Sequence, residues 1–215
     1  MFRIDGPADA ALTVVLAHGA GAPMDSSFMA YFAEGLARRG YHVARFEFPY
    51  MAARRAGGNR RPPDPLPVLI AAWQAVIAAF ESERAGGRLV IGGKSLGGRI
   101  ASMVADAVGV RGLVCLGYPF HPPGKPVLDP AADPRIAHLR GLRTPTLIVQ
   151  GARDPFGGRD EVAAYRLSSA IEVLWLEDGD HGFVPRKSSG RTAEHNLGEA
   201  LAAVAAFLAD RRIVG

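Results

Sequence analysis

The residues best equipped for chemistry lie in Gly93-Lys94-Ser95-Leu96-Gly97. This pentapeptide follows the apolar run Leu89-Val90-Ile91 and leads into a stretch of helical periodicity at 100–108. A Gly-x-Ser-x-Gly at a strand-to-helix junction is the pattern of a nucleophile elbow. The turn is sharp enough to strain the serine backbone, and glycines two residues to either side avoid clashing with it. The hydroxyl is then held above a sheet edge, beside the positive end of a helix. Two further groups stand in comparable places. Asp154 lies in Gly151-Ala152-Arg153-Asp154-Pro155 and His181 in Gly179-Asp180-His181-Gly182-Phe183, each just beyond another apolar run. Acyl transfer needs a serine that attacks, a histidine that takes its proton and returns it, and a carboxylate that fixes the imidazole tautomer. Asp160, Asp178 and Asp180 compete with Asp154 for the third role, because loop acids commonly cap helices or turns.

A developing oxyanion needs donors as well, each contributing about 2.7–4 kcal/mol in a characterised case. The backbone N–H of Leu96, directly after the serine, is one candidate. The small-residue loop His18-Gly19-Ala20-Gly21 offers the other, with Ala20 first and Gly21 next, since glycine lets a backbone approach a substrate closely. His18 is expected to order that loop and to lie at the substrate site. Phe120, His121, Phe156 and Phe183 are candidates for the pocket wall. Lys94, with Arg99 and Arg153 near it in sequence and the arginine-rich stretch at 54–61, suggests a basic approach and a negatively charged substrate.

Strand-like and helix-like segments alternate along the chain. Apolar runs suited to buried parallel strands fall at 11–17, 41–48, 88–91, 112–118, 145–150 and 171–176. Helical periodicity falls at 27–39, 66–84, 96–108, 159–169 and 192–212, with Gly40, Gly86-Gly87 and Gly109 as stops. That alternation implies right-handed crossovers and a parallel sheet of about six strands covered by helices on both faces. In such a sheet, chemistry collects at the carboxyl ends of the strands, where His18, Ser95, Asp154 and His181 all stand. The proline-rich stretch at 119–134 leaves little room for a lid.

Elbow, acid, histidine and small-residue loop, in that order, resemble the α/β-hydrolase superfamily, and within it the small dienelactone-hydrolase-like branch. The resemblance runs from about residue 12 to 208. It implies one α/β-hydrolase domain over 1–215 with minimal or no lid. It further implies a Ser95, Asp154, His181 triad, a small ester or thioester substrate, and no cofactor or metal. Dienelactone hydrolases proper carry cysteine in the elbow, so dienelactone itself is not implied. The N-terminal antiparallel strands common in the superfamily are nearly absent, since only residues 1–10 precede the first parallel strand. A similar branch contains a chromatin-complex subunit, which makes a catalytically silent, partner-binding scaffold the alternative reading.

Composition narrows the field. The chain has 215 residues and a net charge of +4, a small excess for its length. No aromatic residues interleave the arginines at 54–61, as a nucleic-acid stacking platform would require. No apolar stretch approaches the roughly 20 residues of a bilayer span, and the N-terminus lacks a signal-peptide layout. The single cysteine, Cys115, lies in an apolar run and excludes a disulfide framework. These features suggest a cytoplasmic protein, a monomer or a homodimer through its closing helix. Gly93-Lys94-Ser95 imitates the end of a phosphate-binding loop, but Arg88 stands where that motif needs glycine. Met24 likewise replaces the third glycine of a dinucleotide fingerprint, and no metal-ligand spacing occurs.

Overall fold

A computed structural model describes residues 2–83, 88–125, 127 and 129–214. Its strands are β1 (Phe2–Asp5), β2 (Leu12–Ala17), β3 (His42–Phe46), β4 (Arg88–Lys94), β5 (Gly112–Leu116), β6 (Thr146–Gly151) and β7 (Ile171–Leu176). They form one sheet in the order β1-β3-β2-β4-β5-β6-β7. Every neighbouring pair is parallel except β1 with β3. The helices are α1 (Ser27–Ala37), α2 (Pro49–Arg55), α3 (Leu66–Glu83), α4 (Leu96–Val108), α5 (Arg159–Ala163), α6 (Ala193–Leu208) and α7 (Arg211–Val214).

Side chains alternate across a strand, and β2 shows the consequence. Val15 and Ala17 join one core cluster with Trp73 and Ile77 of α3 and Ile100 and Val104 of α4. Val14 and Leu16 join the other, with Phe32 and Leu36 of α1 and Leu201 and Val204 of α6. Because both faces are covered, the central strands are apolar throughout rather than alternating. Among the described residues between β5 and β6, the only helical segment is a 3₁₀ turn, Ala137–Arg140. The described residues there form no lid over the carboxyl edge.

Six expected strands are present, and a seventh joins them. β1 is an antiparallel edge strand, too short and too exposed to carry an apolar signature. It is tied down by chemistry instead. The Arg45 guanidinium, fully buried on β3, donates to Asp5 Oδ2 at 2.7 and 3.2 Å and to the Met24 carbonyl at 3.1 Å. Residues 49–55, which fall in none of the expected strands or helices, form α2, with Pro49 in its first turn and the Asp64 carboxylate accepting from the Tyr50 N–H at 2.7 Å. The segment at 159–169 is helical only to Ala163. The closing segment breaks after Leu208 into α6 and α7, and Thr192 caps α6 by accepting from the His195 N–H at 3.1 Å. The expected stop at Gly86-Gly87 lies outside the described residues. Among the described residues no helix is long and apolar enough to cross a membrane.

Removing one member of a buried ion pair strands its partner. Asp5→Ala should therefore lower unfolding stability by about 3 kcal/mol. The double variant Asp5→Ala, Arg45→Met should recover part of that loss in chemical denaturation.

Candidate active site

The site is built from the junction of β4 with α4. Ser95 occupies φ 50° and ψ −112°, a conformation that side chains other than glycine avoid. The chain turns here against β2. A Cβ on Gly93 would lie 2.1 Å from the Ala17 carbonyl oxygen, and one on Gly97 would lie 2.4 Å from the same atom. Both glycines are therefore set by one neighbouring backbone oxygen. Leu96 opens α4, so its N–H is among the first-turn donors that have no intrahelical acceptor. Its side chain is buried in the core.

His181 follows β7 and its Nδ1 donates to Asp154 Oδ2 at 2.8 Å. Asp154 is buried and also accepts from Gln150 Nε2 at 3.0 Å and from the Phe156 N–H at 2.9 Å. The Phe156 ring lies 4.3 Å from the imidazole, tilted by 36°. The rival acids are otherwise engaged. Asp178 is bound by Arg186 and Arg153, and the Arg186 hydrogen bonds hold its carboxyl down to about 2. Asp180 Oδ1 accepts from the Gly182 and Val184 N–H groups and so shapes the turn that carries His181. Asp160 is exposed on α5.

Ser95 and His181 line one cavity of about 410 Å³ together with Gly19, Ala20, Gly21 and Phe156. Phe28 and Met29 of α1 add apolar surface to it. Among the described residues no hydrogen bond joins the Ser95 hydroxyl to His181. In unliganded enzymes such bonds are often long and tighten when substrate binds.

The loop carrying Ala20 and Gly21 is anchored from beneath. His18 Nε2 accepts from the Phe48 N–H at 3.1 Å, leaving Nδ1 to donate to the Gly19 carbonyl at 2.6 Å. Burial lowers the His18 pKa and favours the neutral ring that this pairing requires. The Tyr50 hydroxyl, its pKa pushed up to about 12 by burial, donates to the Ala20 carbonyl at 3.1 Å. Further along, Glu47 accepts from the Met24 N–H at 3.3 Å, and Arg55 bridges Glu47 and Asp25.

Several expected wall residues stand elsewhere. His18 is fully buried and supports the loop without lining the cavity. Phe120 is fully buried between Tyr118 and Tyr165, behind the acid loop. His121 is buried and pairs with Glu161 at 3.4 Å. Phe183 is fully buried against Phe28 and Phe32. Lys94 does line the cavity, but its ammonium turns away to donate to the His181 carbonyl. The basic approach is neutralised only in part, since among the described residues Arg54, Arg60 and Arg99 form no ion pair. Arg55 pairs with Asp25 and Glu47, Arg61 with Asp64, and Arg153 with Asp178. Gln150, Phe28 and Met29 were not legible as site residues, because each sits inside an apolar or helical run that core packing explains equally well, and Tyr50 lies in a stretch with no periodicity to read. Among the described residues no group of three or more His, Cys, Asp or Glu is placed to hold a metal ion.

A mostly parallel sheet with helices on both faces, a strained serine at the β4–α4 turn, and an acid and a histidine after later strands define the α/β-hydrolase class. Residues 10–209 match the family model described as the alpha/beta hydrolase domain, and the chain belongs to that family. Solved structures agree in fold. A lidless a/b serine hydrolase from Xanthomonas campestris is 20% identical, with a TM-score of 0.70 over 97% of this chain and 89% of that one. An alpha-beta serine hydrolase homologue from Coxiella burnetii is 21% identical, with a TM-score of 0.73 over 97% and 91%. A dienelactone hydrolase from Anabaena variabilis is 19% identical, with a TM-score of 0.73 over 96% and 89%.

The tightness of the elbow makes a direct prediction. Gly97→Ala places a methyl group against the Ala17 carbonyl, which cannot yield without moving β2. It should destabilise the fold by about 1–3 kcal/mol. Any residual activity should fall more steeply than the unfolded fraction accounts for, because the Ser95 turn must open.

Proposed function

We propose that this protein is a serine hydrolase that cleaves small ester or thioester substrates through an acyl-enzyme on Ser95. The observation that carries this reading is the convergence in one cavity of Ser95, the Asp154-paired His181 and the loop of Ala20 and Gly21. Ser95 Oγ bonds to the acyl carbon while its proton passes to His181 Nε2. The bond to the leaving alkoxide or thiolate then breaks, and His181 returns the proton to it. Water then bonds to the acyl carbon as its proton passes to His181 Nε2. The Ser95 Oγ–acyl bond breaks, and His181 returns the proton to Ser95 Oγ as the acid leaves. The amides of Leu96 and Ala20, with Gly21 next, are assigned to the oxyanion. Asp154 keeps Nδ1 of His181 protonated, so that Nε2 is free to accept.

The cavity also bears on the substrate. Its walls include Phe28, Met29, Phe156, Ala20 and Ala22, and two of the arginines that suggested a basic approach, Arg55 and Arg153, are paired with carboxylates. This supports a short neutral acyl group in place of the anionic one suggested by the basic residues. Matched neutral and carboxylate-bearing esters should differ by at least about tenfold in kcat/KM in favour of the neutral one. Such a ratio is worth about 1.4 kcal/mol of differential binding. Equal values, or a preference for the anion that fades with salt, would contradict the neutral assignment.

A fluorophosphonate probe tests the nucleophile without knowledge of the natural substrate. Wild type should be labelled and Ser95→Ala should not. Asp154→Asn should slow labelling by orders of magnitude, since the equivalent change in a serine protease costs about 10⁴ in kcat. A folded wild-type protein that takes no label would favour the silent scaffold.

A further inference from the structure

Lys94 occupies the variable position of the elbow, next to Ser95, and its surroundings are unusually complete. Its stem lies along the loop after β2, where a Cβ on Gly19 would come 3.4 Å from Lys94 Cγ. Its Nζ lies 5.1 Å from the ring centre of Phe28 and 5.3 Å from that of Phe183, within the range of cation–π attraction. It passes Gly117, where a Cβ would sit 2.5 Å from Nζ, 3.2 Å from the His181 carbonyl oxygen and 3.3 Å from His181 Cε1. There it donates to the His181 carbonyl. One side chain thus touches the loop of Ala20, helix α1, the turn after β5 and the loop that carries the histidine. Gly117, at φ 69°, leaves the passage open.

We propose that Lys94 is a positioning residue: its ammonium group, clasped by Phe28 and Phe183, pins the His181 loop so that the imidazole stays aligned between Asp154 and Ser95. This inference rests on the serine-hydrolase reading for its consequence in rate, although the contact itself does not. A hydrogen bond to a backbone carbonyl strengthens when the donor is charged, and so does the cation–π contact. Both weaken together when the amine loses its proton. Burial draws the Lys94 pKa down to about 8, while the carboxylates of Asp154 and Asp180 act in the opposite direction. Those two carboxylates and the His181 imidazole are the titratable groups facing Nζ, from the loops after β6 and β7. The aromatic rings of Phe28 and Phe183 and the backbone at Gly117 complete its surroundings.

The geometry therefore couples the proton on Lys94 to activity, with a sign opposite to its effect on stability. Between about pH 8 and 10.5 the unfolded lysine holds a proton that the folded one has released. Within that window the share of stability due to this group rises with pH, whereas the pinning of His181 is lost.

The test compares wild type with Lys94→Met, which keeps the stem, and Lys94→Gln, which keeps a neutral donor. Fluorophosphonate labelling rates and hydrolysis of p-nitrophenyl esters are followed from about pH 6 to about pH 10, beside thermal unfolding and the NMR titration of His181 Cε1–H. The wild-type rate should fall with a midpoint near pH 8, and the His181 signal should show an inflection at the same pH. Both variants should fold. At neutral pH they should react about tenfold to 100-fold more slowly, the scale of a misplaced reacting group, with neither the fall in rate nor the inflection. Two outcomes would overturn the proposal: variants that match wild type in rate and pH profile, or a wild-type His181 signal without that inflection. A wild type that takes no label yet shows the inflection would refute the hydrolase reading while upholding the Lys94–His181 contact.

Discussion

The Ala17 carbonyl oxygen, at the end of β2, is the constraint on which the site depends. Gly93 and Gly97 both pass it at distances that exclude any side chain. The chain between them has only the space of a strained turn, with Ser95 at φ 50°. A backbone held this way stores unfavourable conformational energy, which the packed elements on both sides offset. β4 is the strand beside β2, and α4 packs on both β4 and β5. The residue that bears the hydroxyl is therefore fixed by the most buried part of the sheet. The remaining groups come from less constrained places: loops after β2, β6 and β7, each tied by its own hydrogen bonds.

How much of this was legible in the sequence follows from how local each signal is. Buried parallel strands write themselves as apolar runs, so β2 to β6 could be read directly, and the partly exposed edge strand β7 still carries enough apolar residues to be read with them. The elbow is a five-residue pattern whose glycines face a neighbouring backbone, so it too is local. β1 left no trace, because it is a half-exposed edge strand held by Asp5 and Arg45, residues 40 positions apart. The wall of the cavity was legible only in part. Phe156, a wall candidate two residues after the acid, lines the cavity and lies 4.3 Å from the His181 ring. Phe120 and Phe183 also stand within a few residues of a strand end, yet their rings turn into the core. Sequence distance from a strand end places a backbone and says little about a rotamer. Phe28 and Met29, in the first turn of α1, reach the cavity, which periodicity alone does not disclose.

Charge counted along the chain was a poor guide to position for a related reason. The arginines at 54–61 look like a basic surface when counted along the chain. In the fold, Arg55 closes a bridge between Asp25 and Glu47, and Glu47 in turn holds the Met24 amide. The cluster braces the loop that carries Ala20 and Gly21. Lys94 follows the same logic at closer range, facing the backbone of the His181 loop instead of the solvent.

The central claim is that Ser95 becomes covalently acylated in turnover. Intact-mass measurement after acid quenching of a p-nitrophenyl ester reaction tests it most directly, followed by peptide mapping of the adduct. The account predicts a transient mass increase equal to the acyl group, carried by the peptide containing Ser95 and absent in Ser95→Ala. Turnover without any adduct, or an adduct on Lys94 or Cys115 that persists in Ser95→Ala, would contradict it.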